Sequence, residues 1–309
     1  MQVKAVKPYI HPGFLNFKLS AYEAWKQLGG GIAECRYPVK LLHGLFYRFE
    51  MPQIYRGKKE ARLRFIEPVS VSFDAFPDYM FFEIIPMIWD CWPKYFEKMC
   101  VWFTKHKIKT AIFTSSQTAE RMRQRFPEMN IMYCPEAVNT SKYTQGKELR
   151  ERTIDLLEFG RGSGIVLNKK ENEFKYVCTK VNGEFIYDNE QLYEAMSDAK
   201  ATIALPRSIT QPEMAGNIET LTQRYWESML SRMVMIGRAP QELVDLIGYN
   251  PVVELDREKP NEQIADIVGH IDEYQEMVDK NHHIALQLGD WTMRIKQIIE
   301  WLRECGYDA

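Results

Sequence analysis

From residue 153 to residue 256 the chain alternates short apolar runs with stretches of helical periodicity, and this alternation limits the fold more than any other feature. TIDLLEFG (153–160) is an apolar run closed by glycine, the pattern of a buried parallel strand. DNEQLYEAMSDA (188–199) opens on Asp and Asn, residues that start helices, and puts Leu192, Ala195, Met196 and Ala199 on one face. KATIALP (200–206) is the next strand, RYWESMLSRM the next helix and MVMIG (233–237) the strand after it. APQELVDLIG, closed by Gly248, and PVVELD (251–256) continue the series, and two helical stretches at 261–280 and 284–304 have no strand after them. Strands separated by helices of about ten residues imply βαβ units and a doubly wound parallel sheet.

The first half is less regular. Candidate strands fall near 2–6, 39–42, 69–73, 84–89, 110–115 and 131–134, with candidate helices at 20–28, 92–106 and 117–126, a pattern compatible with a second sheet of the same type. The polar stretch CPEAVNTSKYTQGKELRER (134–152), with Pro135 and Gly146, separates the halves. A length of 309 residues, about twice that of a typical domain, agrees with two cores. Charge divides at the same place. Residues 1–150 hold 23 Lys and Arg against 14 Asp and Glu, a balance of +9, and the remainder holds 17 against 28, or −11. The basic half suits phosphate-rich or membrane-surface ligands, or its charge simply covers solvated faces.

Composition excludes several classes. No apolar run approaches the ~18 residues of a membrane span, since YMFFEIIPMIW (79–89) is broken by Glu83 and Pro86. The N-terminus MQVKAVKPYIHPGF lacks the apolar core and cleavage site of a secretory signal, so a cytoplasmic location is expected. The six cysteines form no C-x-x-C pair and point to buried thiols, not to disulfides or a structural metal. No clustered Lys/Arg stripe supports nucleic-acid binding.

Ligands of open α/β sheets bind where strands end and helices begin, because amides at a helix N-terminus favour phosphate. The loop SITQPEMAGNIETLTQ lies at such an edge, between KATIALP and the helix carrying Tyr225. It holds Glu219, and Glu227 follows eight residues on. Carboxylates there can each accept two hydrogen bonds from vicinal hydroxyls, as recognition of a sugar and a ribose requires. Taken alone, they are equally a helix-start charge and a solvated side chain.

The surrounding pattern resembles the retaining GT-B glycosyltransferases, in particular glycosyltransferase family 4 and related group 1 enzymes. Their Glu-x7-Glu motif is similar to ETLTQRYWE (219–227), followed here by SMLSR and the strand MVMIG. FGRG (159–162) resembles the Gly-Arg ending the first strand of their C-terminal domain, and IALPRS (203–208) the strand before the motif loop. AIFTSSQTAERM (111–122) and PEAVNTSKY (135–143) resemble the end of their N-terminal domain and the hinge. The resemblance covers residues 84–256 and implies two Rossmann-like domains facing across a cleft. These would be an acceptor-side domain of residues 1–145, and a nucleotide-sugar-binding domain of residues 146–309 carrying the C-terminal helices.

The roles that follow are implied by this resemblance. Glu227 holds the ribose hydroxyls, Glu219 lies beside the donor sugar, and backbone amides from Thr220 to Thr222 meet the sugar or diphosphate. Arg161 neutralises the diphosphate, with Lys169 or Lys170 as the second cation. Arg224 serves the phosphate or pairs with Glu227. The chain departs from the family in having Arg232 where a glycine commonly follows the helix, and Leu221 and Thr222 where a glycine-rich turn is usual. It also has Trp89 and Asp90 where a His often faces the sugar. Asp90 is then an acceptor ligand or base, or the cap of a helix beginning near Pro93.

The implied activity is transfer of a sugar from a nucleotide-sugar co-substrate to a glycan or lipid-linked acceptor, in bacterial surface polysaccharide or glycoconjugate assembly. No further cofactor is implied. The chain has no Asp-x-Asp, the metal-binding pair of the other large glycosyltransferase fold, so a metal-independent reaction is expected. The alternative is a sugar-nucleotide-binding protein or epimerase on a similar scaffold. An anionic membrane surface is a candidate partner of LLHGLFYRFEMPQIYRGKKEARLRF (41–65), through Lys58, Lys59 and Arg62, unless its aromatics form the core.

Overall fold

The computed structural model describes residues 1–8, 17–34, 59–160, 165, 173–181, 184–185 and 188–309. The candidate strand at 39–42, Lys58, Arg161, Lys169 and Lys170 lie outside them. The chain divides into two compact units. The first comprises Met1–Glu136, Gln211–Thr220 and Trp291–Ala309, and the second Ala137–Thr210 and Leu221–Asp290. The division differs from the single boundary expected at residue 145, because two later segments return to the first unit.

In the first unit β1 (Gln2–Val6), α1 (Phe17–Gln27), β2 (Gly31–Ala33), β3 (Glu60–Ile66), α2 (Val71–Ala75), β4 (Glu83–Ile88), α3 (Pro93–His106), β5 (Thr110–Phe113), α4 (Ser116–Arg125) and β6 (Asn130–Tyr133) build a parallel sheet of order β2-β1-β3-β4-β5-β6. Phe103, Phe113, Met99 and Met122 pack α3 and α4 onto it. The strand expected at 69–73 is instead a 3₁₀ turn, Pro68–Ser70, running into α2. Pro68 cannot donate to a ladder, and Asp74 accepts from the Glu67 amide at 2.9 Å and the Ser70 hydroxyl at 3.1 Å, which fixes the turn.

The strand that occupies the sheet, β3, escapes a hydrophobic pattern because it carries two arginines. Both are buried and paired. Arg62, expected in the membrane-facing stretch, is only 8% exposed; it bonds Glu60 at 2.8 Å and lies 3.8 Å over the Phe82 ring. It is therefore not available to a lipid surface. Arg64 donates to the Asp74 carbonyl at 2.6 Å and to Asp78 at 3.0 Å, tying down the connection to β4.

In the second unit β7 (Ile154–Glu158), β8 (Tyr176–Cys178), a short hairpin of β9 (Lys180–Val181) and β10 (Glu184–Phe185), α5 (Asn189–Ser197), β11 (Ala199–Ala204), α6 (Arg207–Thr210), α8 (Gln223–Leu230), β12 (Val234–Gly237), α9 (Gln241–Ile247), β13 (Val253–Glu254), α10 (Pro260–Gly269) and α11 (Gln275–Leu288) follow the expected alternation. Between α6 and α8, α7 (Pro212–Ala215) packs in the first unit, as does the final helix α12 (Trp291–Glu304). The parallel sheet runs β13-β12-β11-β7-β8. α5 starts with a capping box: the Gln191 amide donates to Asp188 and the Asp188 amide to the Gln191 side chain. Gly237 ends β12 because a Cβ there would lie 1.9 Å from the Ala204 carbonyl oxygen.

Arg232, standing where the resembled family has glycine, adopts the left-handed φ of +54°. The backbone thus keeps a conformation glycine favours, and the side chain compensates by pairing with Glu148 at 3.0 Å and with Asp279. Beside it Arg152 is 3% exposed and donates to four carbonyls, those of Lys147 (2.9 Å), Ala199 (2.7 Å), Ser231 (2.8 Å) and Gln145 (2.6 Å). Burial, then the Arg232 charge, lowers its pKa to about 10. Arg152→Met should leave these buried acceptors unpaired and cost about 3 kcal/mol. Urea unfolding followed by circular dichroism measures it, and a loss below about 0.5 kcal/mol would contradict the clamp.

Candidate functional site

In the second unit β7 leads to β8 on one side and then to β11 on the other, so the winding reverses between β7 and β11. The carboxyl ends of strands at such a reversal form the crevice in which open α/β sheets bind ligands. Glu158, Phe159 and Gly160 end β7 there, and the segment after β11 leads toward α8. The strand pattern pointed to the segment after β11, and the family resemblance to the end of β7.

Glu227 sits on α8 among Tyr225, Trp226, Met229 and Leu230, all buried, and is itself 6% exposed. Its Oε1 accepts from the Tyr143 hydroxyl at 2.9 Å. Among the described residues Oε2 makes no hydrogen bond. Burial raises the Glu227 pKa, against the Tyr143 hydrogen bond and the Arg224 charge, which lower it. The solvated alternative for Glu227 is excluded.

Arg224, one turn earlier on α8, does not form an ion pair with Glu227. Its Nη2 donates to the Phe159 carbonyl at 3.1 Å and its guanidinium lies 5.5 Å from the Phe159 ring centroid. Gly160, at φ +75°, makes room: a Cβ would stand 2.8 Å from Nη2. A cation is thereby held at the carboxyl end of β7, and burial lowers its pKa. Thr222 caps α8 with extended backbone and without a side-chain hydrogen bond.

Asp90 and Glu219 belong to the first unit. Asp90 follows β4 with φ +52°, a conformation uncommon for a residue other than glycine. The N-cap position of α3 belongs to Trp92 and not to Asp90. Trp89 and Trp92 are 1% and 2% exposed. Trp89 packs on Trp291 with ring centroids 5.9 Å apart, and these aromatics belong to the core. Glu219 is half-buried, its amide donating to Gln117 of α4 at 3.0 Å, while Ile218 and Ala215 pack with Trp92.

The sequence reading missed Tyr143, Tyr193, Glu158 and Tyr176 as site residues. Tyr143 lies in the polar separator, where its one signal was an aromatic in an otherwise polar stretch. Tyr193 packs edge-on against it, centroids 5.1 Å apart. Glu158, a carboxylate in the apolar strand, is buried and accepts from the Tyr176 hydroxyl.

No protein-family model and no curated protein matches the sequence. Solved structures match in fold. Anabaena HepE, in complex with UDP and glucose, is similar with a TM-score of 0.58 at 10% identity over 98% of this chain and 100% of its own. Sucrose-phosphate synthase from Thermosynechococcus elongatus gives 0.61 at 11% identity over 99% of each chain. AviGT4, a glycosyltransferase involved in avilamycin A biosynthesis, gives 0.55 at 11% identity over 98% of this chain and 97% of its own. The chain has the GT-B fold of these glycosyltransferases, with one parallel-sheet α/β unit in each half of the architecture.

The environment of Glu227 generates a prediction about charge. Because its folded-state pKa is raised, this group favours folding below the ordinary carboxylate range, and that contribution is lost as pH rises through the folded value. Glu227→Gln, which keeps an acceptor for Tyr143, should therefore unfold at a higher temperature than the wild type at neutral pH, the difference vanishing in acid. Calorimetry at several pH values checks this, and a lower melting temperature at neutral pH would contradict it.

Proposed function

We propose that this chain is a glycosyltransferase that binds a nucleotide-sugar at the carboxyl edge of the second sheet and transfers the sugar to a glycan or lipid-linked acceptor. The observation that carries the reading is the buried Glu227 carboxylate, one oxygen held by Tyr143 and the other open among the described residues, at the reversal point of a GT-B-type sheet. A desolvated acceptor of this kind suits ribose hydroxyls. Glu219 is assigned to the donor sugar, and the amides near Thr222 with Arg224, Arg161 and Lys169 or Lys170 to the diphosphate. Because HepE is described in complex with UDP-glucose, a UDP-hexose is the first donor to test.

Cleaving the sugar C1–O bond builds oxocarbenium character on the sugar and negative charge on the departing diphosphate. Fixed cations and helix amides lower that barrier. With their charge available, transfer proceeds without a metal. In a retaining reaction the acceptor attacks from the face the diphosphate leaves, and a diphosphate oxygen takes its proton, so no protein nucleophile is needed. Asp90 is assigned to the acceptor hydroxyl on the first unit.

A thermal-shift screen of UDP, GDP, ADP and CMP tests donor binding, since a ligand of the folded state raises the melting temperature by linkage. One nucleotide should stabilise the protein. Glu219→Ala and Asp90→Asn should then each lower transfer tenfold to hundredfold, from about 1–3 kcal/mol of lost hydrogen bonding, with nucleotide binding retained in Asp90→Asn. Silence with all four nucleotides would refute the reading.

An anionic membrane face is also part of the proposal, now on α3 and α4. Lys94, Lys98, Val101 and Lys105 form one exposed helical stripe of α3, with Val101 67% exposed, and α4 adds exposed Arg121 and Arg125. Arg121 lies over the Phe96 ring of α3, which joins the two cationic surfaces. Such a face suits anionic headgroups, as bacterial lipid-linked acceptors would supply. The protein should sediment with phosphatidylglycerol-containing vesicles at low salt and less so as Lys98→Glu/Lys105→Glu. Absence of binding at low salt would favour a soluble acceptor.

A further inference from the structure

The turn that carries Tyr143 is held firmly within the second unit. Asn139 accepts from the Ser141 amide at 3.1 Å, Asp290 accepts from the Thr140 amide at 3.0 Å and hydroxyl at 2.8 Å, and the Val138 amide donates to the Gly289 carbonyl at 2.9 Å. Tyr143 leaves this turn with its ring edge-on to Tyr193 of α5. Its hydroxyl ends at Glu227 Oε1. A side chain so fixed at both ends sets the rotation of the carboxylate it meets, and a hydroxyl donating to a buried carboxylate favours the charged form.

We propose that Tyr143 is a positioning residue for nucleotide recognition. Its hydroxyl fixes the rotation of Glu227 and presents Oε2 to the ribose, so that preference for ribonucleotides over 2′-deoxyribonucleotides depends on Tyr143. The proposal rests on the reading of Glu227 as the ribose acceptor. Without Tyr143 a carboxyl buried among Tyr225, Trp226, Met229 and Leu230 tends to protonate, and a protonated carboxyl is a poorer acceptor for a hydroxyl. Among the described residues, the titratable groups that face Glu227 come from three elements. Arg224 comes from its own helix, Tyr143 from the turn and Tyr193 from α5. On α11, which packs on α8, His282 is engaged by the Leu230 carbonyl at 2.8 Å.

The test uses the full chain as wild type and Tyr143→Phe, each checked for folding by circular dichroism. Carbon-13 NMR of protein labelled at glutamate Cδ follows the Glu227 titration, assigned with Glu227→Gln, and needs no ligand. Glu227 should titrate at higher pH in Tyr143→Phe than in the wild type. Calorimetric titration with UDP and 2′-deoxy-UDP should show a preference for UDP of about tenfold in the wild type, falling to within about twofold in Tyr143→Phe. The acid limb of UDP binding should move to higher pH in that variant. An unshifted Glu227 titration in Tyr143→Phe overturns the proposal whatever UDP does. An unchanged ribose preference overturns it too, and a fall in Tm alone would make Tyr143 a packing residue. If the wild type binds UDP without preferring it to the deoxy form, or does not bind it, the ribose reading of Glu227 fails first. The NMR titration still distinguishes that failure from failure of the Tyr143 contact.

Discussion

A carboxylate taken out of water beside a single hydroxyl is the interaction on which the second unit's site depends. Glu227 is buried on a helix whose neighbouring residues are buried as well, and only Tyr143 donates a hydrogen bond to it among the described residues. Burying an ionisable group this way costs stability, because the lost hydration is only partly replaced. A site tolerates that cost when the group must meet a ligand in a dry, fixed orientation.

The sheet supplies the location. The order β13-β12-β11-β7-β8 reverses winding between β7 and β11, and three features converge at the carboxyl end of β7. Phe159 gives Arg224 a carbonyl acceptor and a ring face, Gly160 leaves space for its guanidinium, and Glu158 is engaged by Tyr176. Of the two charges at this edge, Arg224 is tied to a backbone carbonyl and Glu158 to a tyrosine hydroxyl. Arg152 performs the same service behind the site, joining the incoming chain to the start of β11 and the end of α8.

Legibility in the sequence followed how local each signal was. The second sheet was readable because its strands are apolar and its helices periodic, and α5 announced itself through the Asp188 and Gln191 cap. β3 was not, because Arg62 and Arg64 disguise a central strand, and their charges are neutralised only by Glu60, Asp78 and carbonyls brought from elsewhere in the fold. The stretch 69–73 looked like a strand by composition, yet Pro68 and the side-chain bonds of Asp74 make it helical. Asp90 was offered as the cap of the helix near Pro93, and the backbone gives that position to Trp92, two residues later.

By itself the sequence determined the βαβ alternation and placed Glu227 and Arg224 on the helix that precedes the strand MVMIG. Periodicity and glycine placement are local properties, so they survive without knowledge of the packed chain. Tertiary structure decided what those side chains do. It brought Tyr143 to a residue 84 positions later, gave Arg224 to Phe159 instead of Glu227, and returned Trp291 to the side of Trp89. Each of these contacts closes a long loop of chain, and no pattern of neighbours in the sequence specifies where such a loop closes.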